Sequence, residues 1–486
     1  MAKKQLTILH SNDMHGDFLA KEIDGKQHGG IARLSGYVRK VRAEEKNVIY
    51  AMAGDMFRGS IIDEEYLGLS TINLVNLLGV DVATLGNHEV DYGLSHLLFL
   101  EKCARFPIIN ANMFVTLNRT RLFTPCLNID IDGMRILFIG ILTEEVLAST
   151  RSERIIGTFI DIEQAAREVN VICDNYRTRN TDLTILLTHI GIEEDRRLAA
   201  LLSKDAGVDI IIGGHSHTFM DAPEVVNGIP IVQAGTGTGL IGRFDLEYDT
   251  WFHRLTKMEW RAVSLSEDVC SEDETMKLML MSFKNETDEK YLRIITHLNR
   301  KLTHPTRTEE TELGNLYADI LQDESSFDIT FMGTGSIRKK EFGPLITRQE
   351  LIENTPFDDS LHMLKVTGAQ LKKMLLYIFR DEAWEGHTEF YNFSRGCHFV
   401  YRKSTHTLET CEFRGKPVED DHEILIAMLK YHFENFDEFF GISRSLVEQN
   451  MKARTIAISV NNIYEEYFAT HPNLDSHVEG RIVILD

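Results

Sequence analysis

Five short segments hold most of the side chains in this chain whose types and spacing could do chemistry. They are Asp13-Met14-His15, Gly54-Asp55, Gly86-Asn87-His88-Glu89, Thr188-His189 and Gly214-His215-Ser216-His217. Asp offers a hard anionic oxygen, His a borderline imidazole nitrogen and Asn a neutral carbonyl oxygen. That mixture suits Zn²⁺, Mn²⁺, Fe or Co²⁺ better than Ca²⁺, which takes oxygen ligands. Asp13, His15, Asp55, Asn87, His189, His215 and His217 are too many donors for one tetrahedral ion. With one of them shared, they suit two divalent ions roughly 3.5–4 Å apart. Asp55 is the expected bridge, because a carboxylate has two oxygens. Each segment alone also reads as a solvated loop, a turn or a surface histidine. The argument rests on all five occurring together, each in the same kind of place.

That place is set by the elements before them. Short apolar runs at Leu6–His10, Val48–Ala53, Val82–Leu85, Ile108–Asn110, Arg135–Leu142, Leu183–Leu187, Asp209–Ile212 and Ile229–Gln233 are mostly continuous rather than alternating. Such runs are expected of strands buried on both faces. Amphipathic stretches such as Ile31–Val41 and Ile162–Arg177 lie between them. The pattern predicts a layered α/β domain. Every chemistry-bearing segment comes just after a strand, where open α/β sheets bind ligands beyond their carboxyl ends. Gly54, Gly86, Gly213 and Gly214 allow tight turns there.

The character changes between 262 and 300. An acidic stretch, Ser271-Glu272-Asp273-Glu274, precedes a helical pattern, and the reading is a connecting segment, with one more surface helix of the first domain as the alternative. A second α/β pattern fills 301–486. In it, Thr347-Arg348-Gln349-Glu350 reads as a capping box, Leu361–Val366 as a strand and Gly368–Arg380 as a helix. The expected domains are therefore 1–261 and 301–486, joined by 262–300.

The net charge of −22 argues against a nucleic-acid polymer or an anionic membrane as partner, since both need a basic face. It leaves room for a small anionic substrate at a local cluster of cations. Six cysteines without a CxxC pair read as reduced thiols, and no apolar run approaches the roughly 18 residues of a membrane span. The expected location is cytoplasmic.

The first 250 residues resemble the calcineurin-like metallophosphoesterases, and within them the 5′-nucleotidase family. The resemblance is carried by Ile8 to Gly16, Gly29 to Leu34, Gly54-Asp55 with Gly59-Ser60, Gly86 to Glu89 with Asp91 and Gly93, Thr188-His189, and Gly214 to His217. It implies two divalent metal ions. Asp13, His15, Asp55 and His217 would hold one, and Asp55, Asn87, His189 and His215 the other. It makes His88, oriented by Asp91, a catalytic group that does not ligate. His10 lies in the same stretch and reads as a structural histidine or one that supports the ligands from behind. The implied fold is a layered two-sheet α/β metallophosphoesterase domain with a second α/β substrate-binding domain.

The C-terminal part resembles the same family's nucleotide-binding domain. The matching segments are Arg307 ahead of Gly314-Asn315-Leu316 and Ala318-Asp319, Gly335-Ser336-Ile337-Arg338, Pro356-Phe357, and Leu364 to Gly368. By this resemblance Arg307 and Arg338 pair with anionic groups of a nucleotide. Two aromatics sandwich the base, Phe357 and Phe439, with Phe440 the alternative for the second. The loop before Ile337-Arg338 departs from the family, which has Asn where this chain has Met332 and has consecutive glycines. The turn before the second aromatic also lacks the family's glycines. The implied reaction is hydrolysis of nucleoside 5′-monophosphates to nucleoside and phosphate. The alternatives are a nucleotide-sugar or dinucleotide pyrophosphatase, a 2′,3′-cyclic phosphodiesterase, and a non-catalytic nucleotide-binding protein.

Overall fold

The computed structural model describes residues 3–115, 120–143, 161–177, 181–324, 327–385 and 390–486. The chain divides into two compact units, Met1–Thr287 and Asp288–Asp486.

The first unit contains two six-stranded sheets. One runs in the order Arg254–Ser264, Leu240–Asp249, Lys3–Ser11, Val48–Ala53, Val82–Thr84, Ile108–Ile109. Its last four strands are parallel to one another, and the first two are joined antiparallel. The other sheet runs Glu224–Val226, Ile229–Val232, Ile210–Ile212, Leu183–His189, Met134–Leu142, Cys126–Ile131, with its four central strands parallel. Side chains alternate between faces along each strand, and three apolar layers result. Leu6, Ile8, Ile49, Ala51, Ile136, Phe138, Ile185 and Leu187 meet between the two sheets. Leu9, Tyr50 and Met52 turn the other way, onto Leu34 and Val38 of the helix Ile31–Glu44. Leu137, Ile139 and Leu186 face Ala165 and Val169 of the helix Ile162–Arg177. Both faces of the central strands are thus covered, which is why their sequences read as unbroken apolar runs.

The edge strands Arg254–Ser264 and Cys126–Ile131, and Leu240–Asp249 next to the first of them, did not show in the apolar pattern. All three mix charged and apolar residues along their length. Part of the expected connector packs on the first unit. Leu265, Cys270, Met276 and Leu280 join the cluster that holds Leu34 and Tyr37. Asp273, within the acidic stretch, is buried and accepts from Ser35 Oγ at 2.7 Å and Arg39 at 2.8 Å. The boundary between the units lies inside the helix Glu274–Tyr291.

The second unit is built on a five-stranded sheet, Tyr391–Phe393, Ile329–Gly333, Glu423–Leu429, Leu361–Thr367, Arg454–Ala457. One face packs on the helix Gly368–Ile378 through Phe331, Leu364, Val366 and Ile426. The other packs on the helices Glu312–Asp323 and Val460–Thr470 through Met332, Leu361 and Ala427. The expected capping box at Thr347 is only half formed. Thr347 Oγ1 accepts from the Glu350 N–H at 3.1 Å, without the reciprocal bond from the Glu350 side chain. Thr347 already pairs with Ile294 in a two-stranded ladder. A complete box forms instead at Thr367 and Gln370, ahead of the helix Gly368–Ile378.

Candidate metal centre and a nucleotide-sized cavity

In the first unit the five segments sit at the carboxyl ends of parallel strands. Asp13 and His15 follow the strand ending at Ser11, Asp55 the one ending at Ala53, and Asn87 and His88 the one ending at Thr84. His189 is itself the last residue of its strand, and His215 and His217 follow the one ending at Ile212. The structure brings all seven expected donors together. Ligand atoms of Asp13, His15 and His217 lie within 4.8 Å of one another, as do those of Asp55, His189 and His215. A third such group, His15, Asp55 and His88, joins the first two. Asn87 Oδ1 lies 2.7 Å from His215 Nδ1 and 3.3 Å from His189 Nε2. His15 Nε2 and His217 Nε2 are 2.9 Å apart.

Convergence of this kind is costly. Asp13, His15, Asp55, His215 and His217 all have positive φ, between 48° and 82°. For residues with a Cβ this costs of order 1–3 kcal/mol each, and such strain persists only where the surroundings enforce it. Asp13 and Asp55 are almost fully buried. Among the described residues their ion-pair partners are His15, His189 and His217, with no Lys or Arg. Burial opposes charge on both Asp55 and His189. Their mutual hydrogen bond and attraction, with Oδ2 3.1 Å from Nε2, outweigh it, so Asp55 is held below and His189 above its usual pKa. Two buried carboxylates, one amide oxygen and a set of imidazoles that converge without a fixed cation are a donor set that fits two divalent ions of the borderline class.

Groups around the donors hold them in place. The His189 Nδ1–H donates to Ala53 O at 2.8 Å, which leaves Nε2 facing the carboxylates. The His88 backbone N–H donates to Asp55 Oδ1 at 2.9 Å, and its ring Nδ1 lies 2.7 Å from Asp91 Oδ2. The Asp91 hydrogen bond holds the His88 pKa above its usual value against the effect of burial. Arg58 Nε donates to the same Asp91 oxygen at 3.1 Å. His10 lies outside the cluster and is fully buried, with Nε2 accepting from Trp260 Nε1 at 2.9 Å. Burial pushes its pKa down to about 3.

The sequence reading assigned no role to Glu89, yet it is a fully buried carboxylate that accepts from the N–H groups of Asp55, Met56 and Gly86. It ties the Asp55 loop to the Asn87 loop. Its presence in Gly86-Asn87-His88-Glu89, next to the ligands, was the available signal.

In the second unit Arg307, Arg338 and Phe357 line one cavity of about 610 Å³, within the usual range for a small-molecule site. Gly335, Ser336, Asp358, Asp359, Lys430 and Tyr431 line it with them. The Arg338 guanidinium lies 5.7 Å from the Phe357 ring centroid. Phe439 is not among the lining residues. Its ring packs against Tyr431 and His432, with centroids 5.4 and 5.8 Å away. Phe440 is fully buried in the core, 5.6 Å from Phe331. The ring that reaches the cavity from this segment is Tyr431, which is 54% exposed, as Phe357 is 50% exposed. Asp359 links the two. Its N–H donates to Phe357 O at 2.9 Å, and its Oδ2 accepts from the Tyr431 N–H at 3.0 Å.

Comparisons with known proteins match both parts of the chain. Residues 6–219 match the model for calcineurin-like phosphoesterases, and residues 293–442 match that for the 5′-nucleotidase C-terminal domain. The chain is 28% identical to a snake venom 5′-nucleotidase from Naja atra, over 76% of this chain and 77% of that one. It is 27% identical to the 5′-nucleotidase of Mus musculus, over 98% and 90%. The crystal structure of a 5′-nucleotidase precursor from Thermus thermophilus superimposes with a TM-score of 0.62 at 22% identity, covering 99% of this chain and 100% of that one. A putative 5′-nucleotidase from Staphylococcus aureus gives 0.64 at 17% identity, covering 99% and 100%. At those identities the structures speak for the fold. With a calcineurin-like phosphoesterase domain followed along the chain by a 5′-nucleotidase C-terminal domain, the chain belongs to the 5′-nucleotidase family.

Proposed function

We propose that this protein hydrolyses nucleoside 5′-monophosphates to nucleoside and phosphate. The observation that carries the reading is the convergence of Asp13, His15, Asp55, Asn87, His189, His215 and His217 at one sheet edge. Asp13, His15, Asp55 and His217 would hold one divalent ion, and Asp55, Asn87, His189 and His215 a second, from the set Zn, Mn, Fe or Co. Bound there, such ions lower the pKa of water and offset charge on phosphoryl oxygens. The chain's own groups add to this. With Nδ1 committed to Asp91, His88 has Nε2 to offer a proton or hydrogen bond to a phosphoryl or leaving oxygen. Arg307 and Arg338 supply cationic forks for the anionic parts of a nucleotide, and Phe357 and Tyr431 supply aromatic faces for its base. Relatives named 5′-nucleotidase support the monoester reading. A cytoplasmic setting belongs to the same proposal and is supported by six cysteines that form no disulfide with one another.

The test is turnover of the full chain with Mn²⁺ or Zn²⁺ on AMP, UMP, UDP-glucose and 2′,3′-cyclic AMP. The monophosphates are expected to exceed the others by at least about tenfold in kcat/KM, a difference of ~1.4 kcal/mol in transition-state stabilisation. Preference for UDP-glucose or the cyclic diester would assign the same centre to another bond. Hydrolysis of none of them would favour a binding protein.

A further inference from the structure

Three of the histidines in the cluster come from two segments, Thr188-His189 and the loop 213–218. A buried polar chain joins them. Asp195, in the first turn of the helix Ile192–Leu201, is fully buried. Its Oδ1 accepts from Thr188 Oγ1 at 2.6 Å and its Oδ2 from Gln233 Nε2 at 3.1 Å. Gln233, also fully buried, then clasps the histidine loop from both sides. Its Nε2 donates to Gly214 O at 3.3 Å, before His215. Its Oε1 accepts from Ser216 Oγ at 3.0 Å and from the Thr218 N–H at 3.3 Å, on either side of His217. Gly213 is shaped to this arrangement, since a Cβ there would lie 2.1 Å from Asp195 Oδ2.

We propose that Asp195 and Gln233 are positioning residues that set the polarity and place of the loop bearing His215 and His217, and so govern metal affinity at the cluster. The proposal rests on the reading of that cluster as a metal centre. The reasoning is one of donors and acceptors. Both oxygens of Asp195 accept, one from Thr188 Oγ1 and one from Gln233 Nε2, so Asp195 meets the NH₂ end of the Gln233 amide. The amide oxygen must then face the loop, where it meets two donors. A reversed amide would place NH₂ against Ser216 and Thr218 and leave buried groups unpaired, at about 1–3 kcal/mol each. His215 and His217, with φ of 82° and 53°, need such an outside constraint to keep their backbone in the left-handed region.

The test uses the full chain and its retention of Mn²⁺ or Zn²⁺ in competition with a chelator, with kcat and KM measured alongside. D195N leaves one oxygen where there were two, so its amide either turns NH₂ against the NH₂ of Gln233 or forces Thr188 Oγ1 from donor to acceptor. Q233E puts a carboxylate against that of Asp195. Each is expected to weaken metal retention about ten- to a hundredfold, the usual effect of losing a partner behind a metal ligand, and to lower kcat at subsaturating metal more than it raises KM. The double variant D195N/Q233E restores a donor at 195 facing an acceptor at 233. It is expected to recover most of the loss, which a merely structural role would not produce. Parent-like retention in both single variants, or a double variant no better than the singles, would overturn the proposal. Should the single variants not fold, Ser216→Ala decides, because Ser216 is exposed. Weakened retention supports the relay and unchanged retention refutes it. A parent chain that binds neither ion would instead sink the metal-centre reading itself.

Discussion

At the scale of single residues, the first-unit donors were legible because each sits in a short motif whose residue types have little other reason to occur together. His88 between Asn87 and Glu89 is such a case. The second aromatic of the cavity was not legible. Tyr431, Phe433, Phe436, Phe439 and Phe440 crowd one stretch of chain, and spacing alone cannot say which ring faces a cavity. Packing decides it. Phe440 fills the core against Phe331, Phe439 props Tyr431, and Tyr431 projects. Substitution separates these roles. Tyr431→Ala is expected to raise KM for a nucleoside 5′-monophosphate about five- to tenfold, since base–aromatic stacking contributes roughly 1–3 kcal/mol, with little change in melting temperature. Phe439→Ala is expected to destabilise the fold by roughly 2 kcal/mol, below the range for a fully buried Phe→Ala change. Titration calorimetry and thermal unfolding check the pair. The opposite pattern would return Phe439 to the site.

At the scale of elements, the central strands could be read because they are covered on both faces, and the observed Val48–Ala53 and Leu183–His189 coincide with or extend the expected runs. The edge strand Arg254–Ser264 and its neighbour Leu240–Asp249 escaped because their apolar residues are spread among charges. What strand ends do for the site is equally physical. Gly86 lies where the Asn87 loop passes the Asp55 loop, and a Cβ there would meet Asp55 Oδ1 at 2.1 Å and Asp55 N at 2.3 Å. Gly86→Ala is therefore expected to displace Asp55, lower stability by about 1–3 kcal/mol through overpacking and reduce bound metal. Denaturant unfolding with metal analysis of the purified variant checks both effects. Unchanged metal content would mean that the loops do not need this close approach.

At the scale of the whole molecule, a net charge of −22 sets the problem that an anionic substrate must overcome. The first unit answers with a donor set fitted to divalent cations, and the cavity of the second sets Arg307, Arg338 and Lys430 against Asp358, Asp359 and Glu434, so that its lining is not net acidic. The sequence shows two α/β patterns joined at 262–300, and the division between the two units falls inside that segment. The acidic stretch that looks like a linker is anchored by Asp273 to Ser35 and Arg39, long-range bonds that composition cannot reveal. The central claim is that side chains drawn from five separate segments of the first unit would hold two ions, with Asp55 in both ligand sets. Metal analysis of the full chain after loading with Mn²⁺ or Zn²⁺ and removal of excess tests it most directly, with Asp55→Asn in parallel. The account predicts about two ions per chain in the parent, and at most one in the variant, with phosphate release from a nucleoside 5′-monophosphate reduced at least a hundredfold. A parent that retains none, or a variant that retains as many ions as the parent, would contradict it.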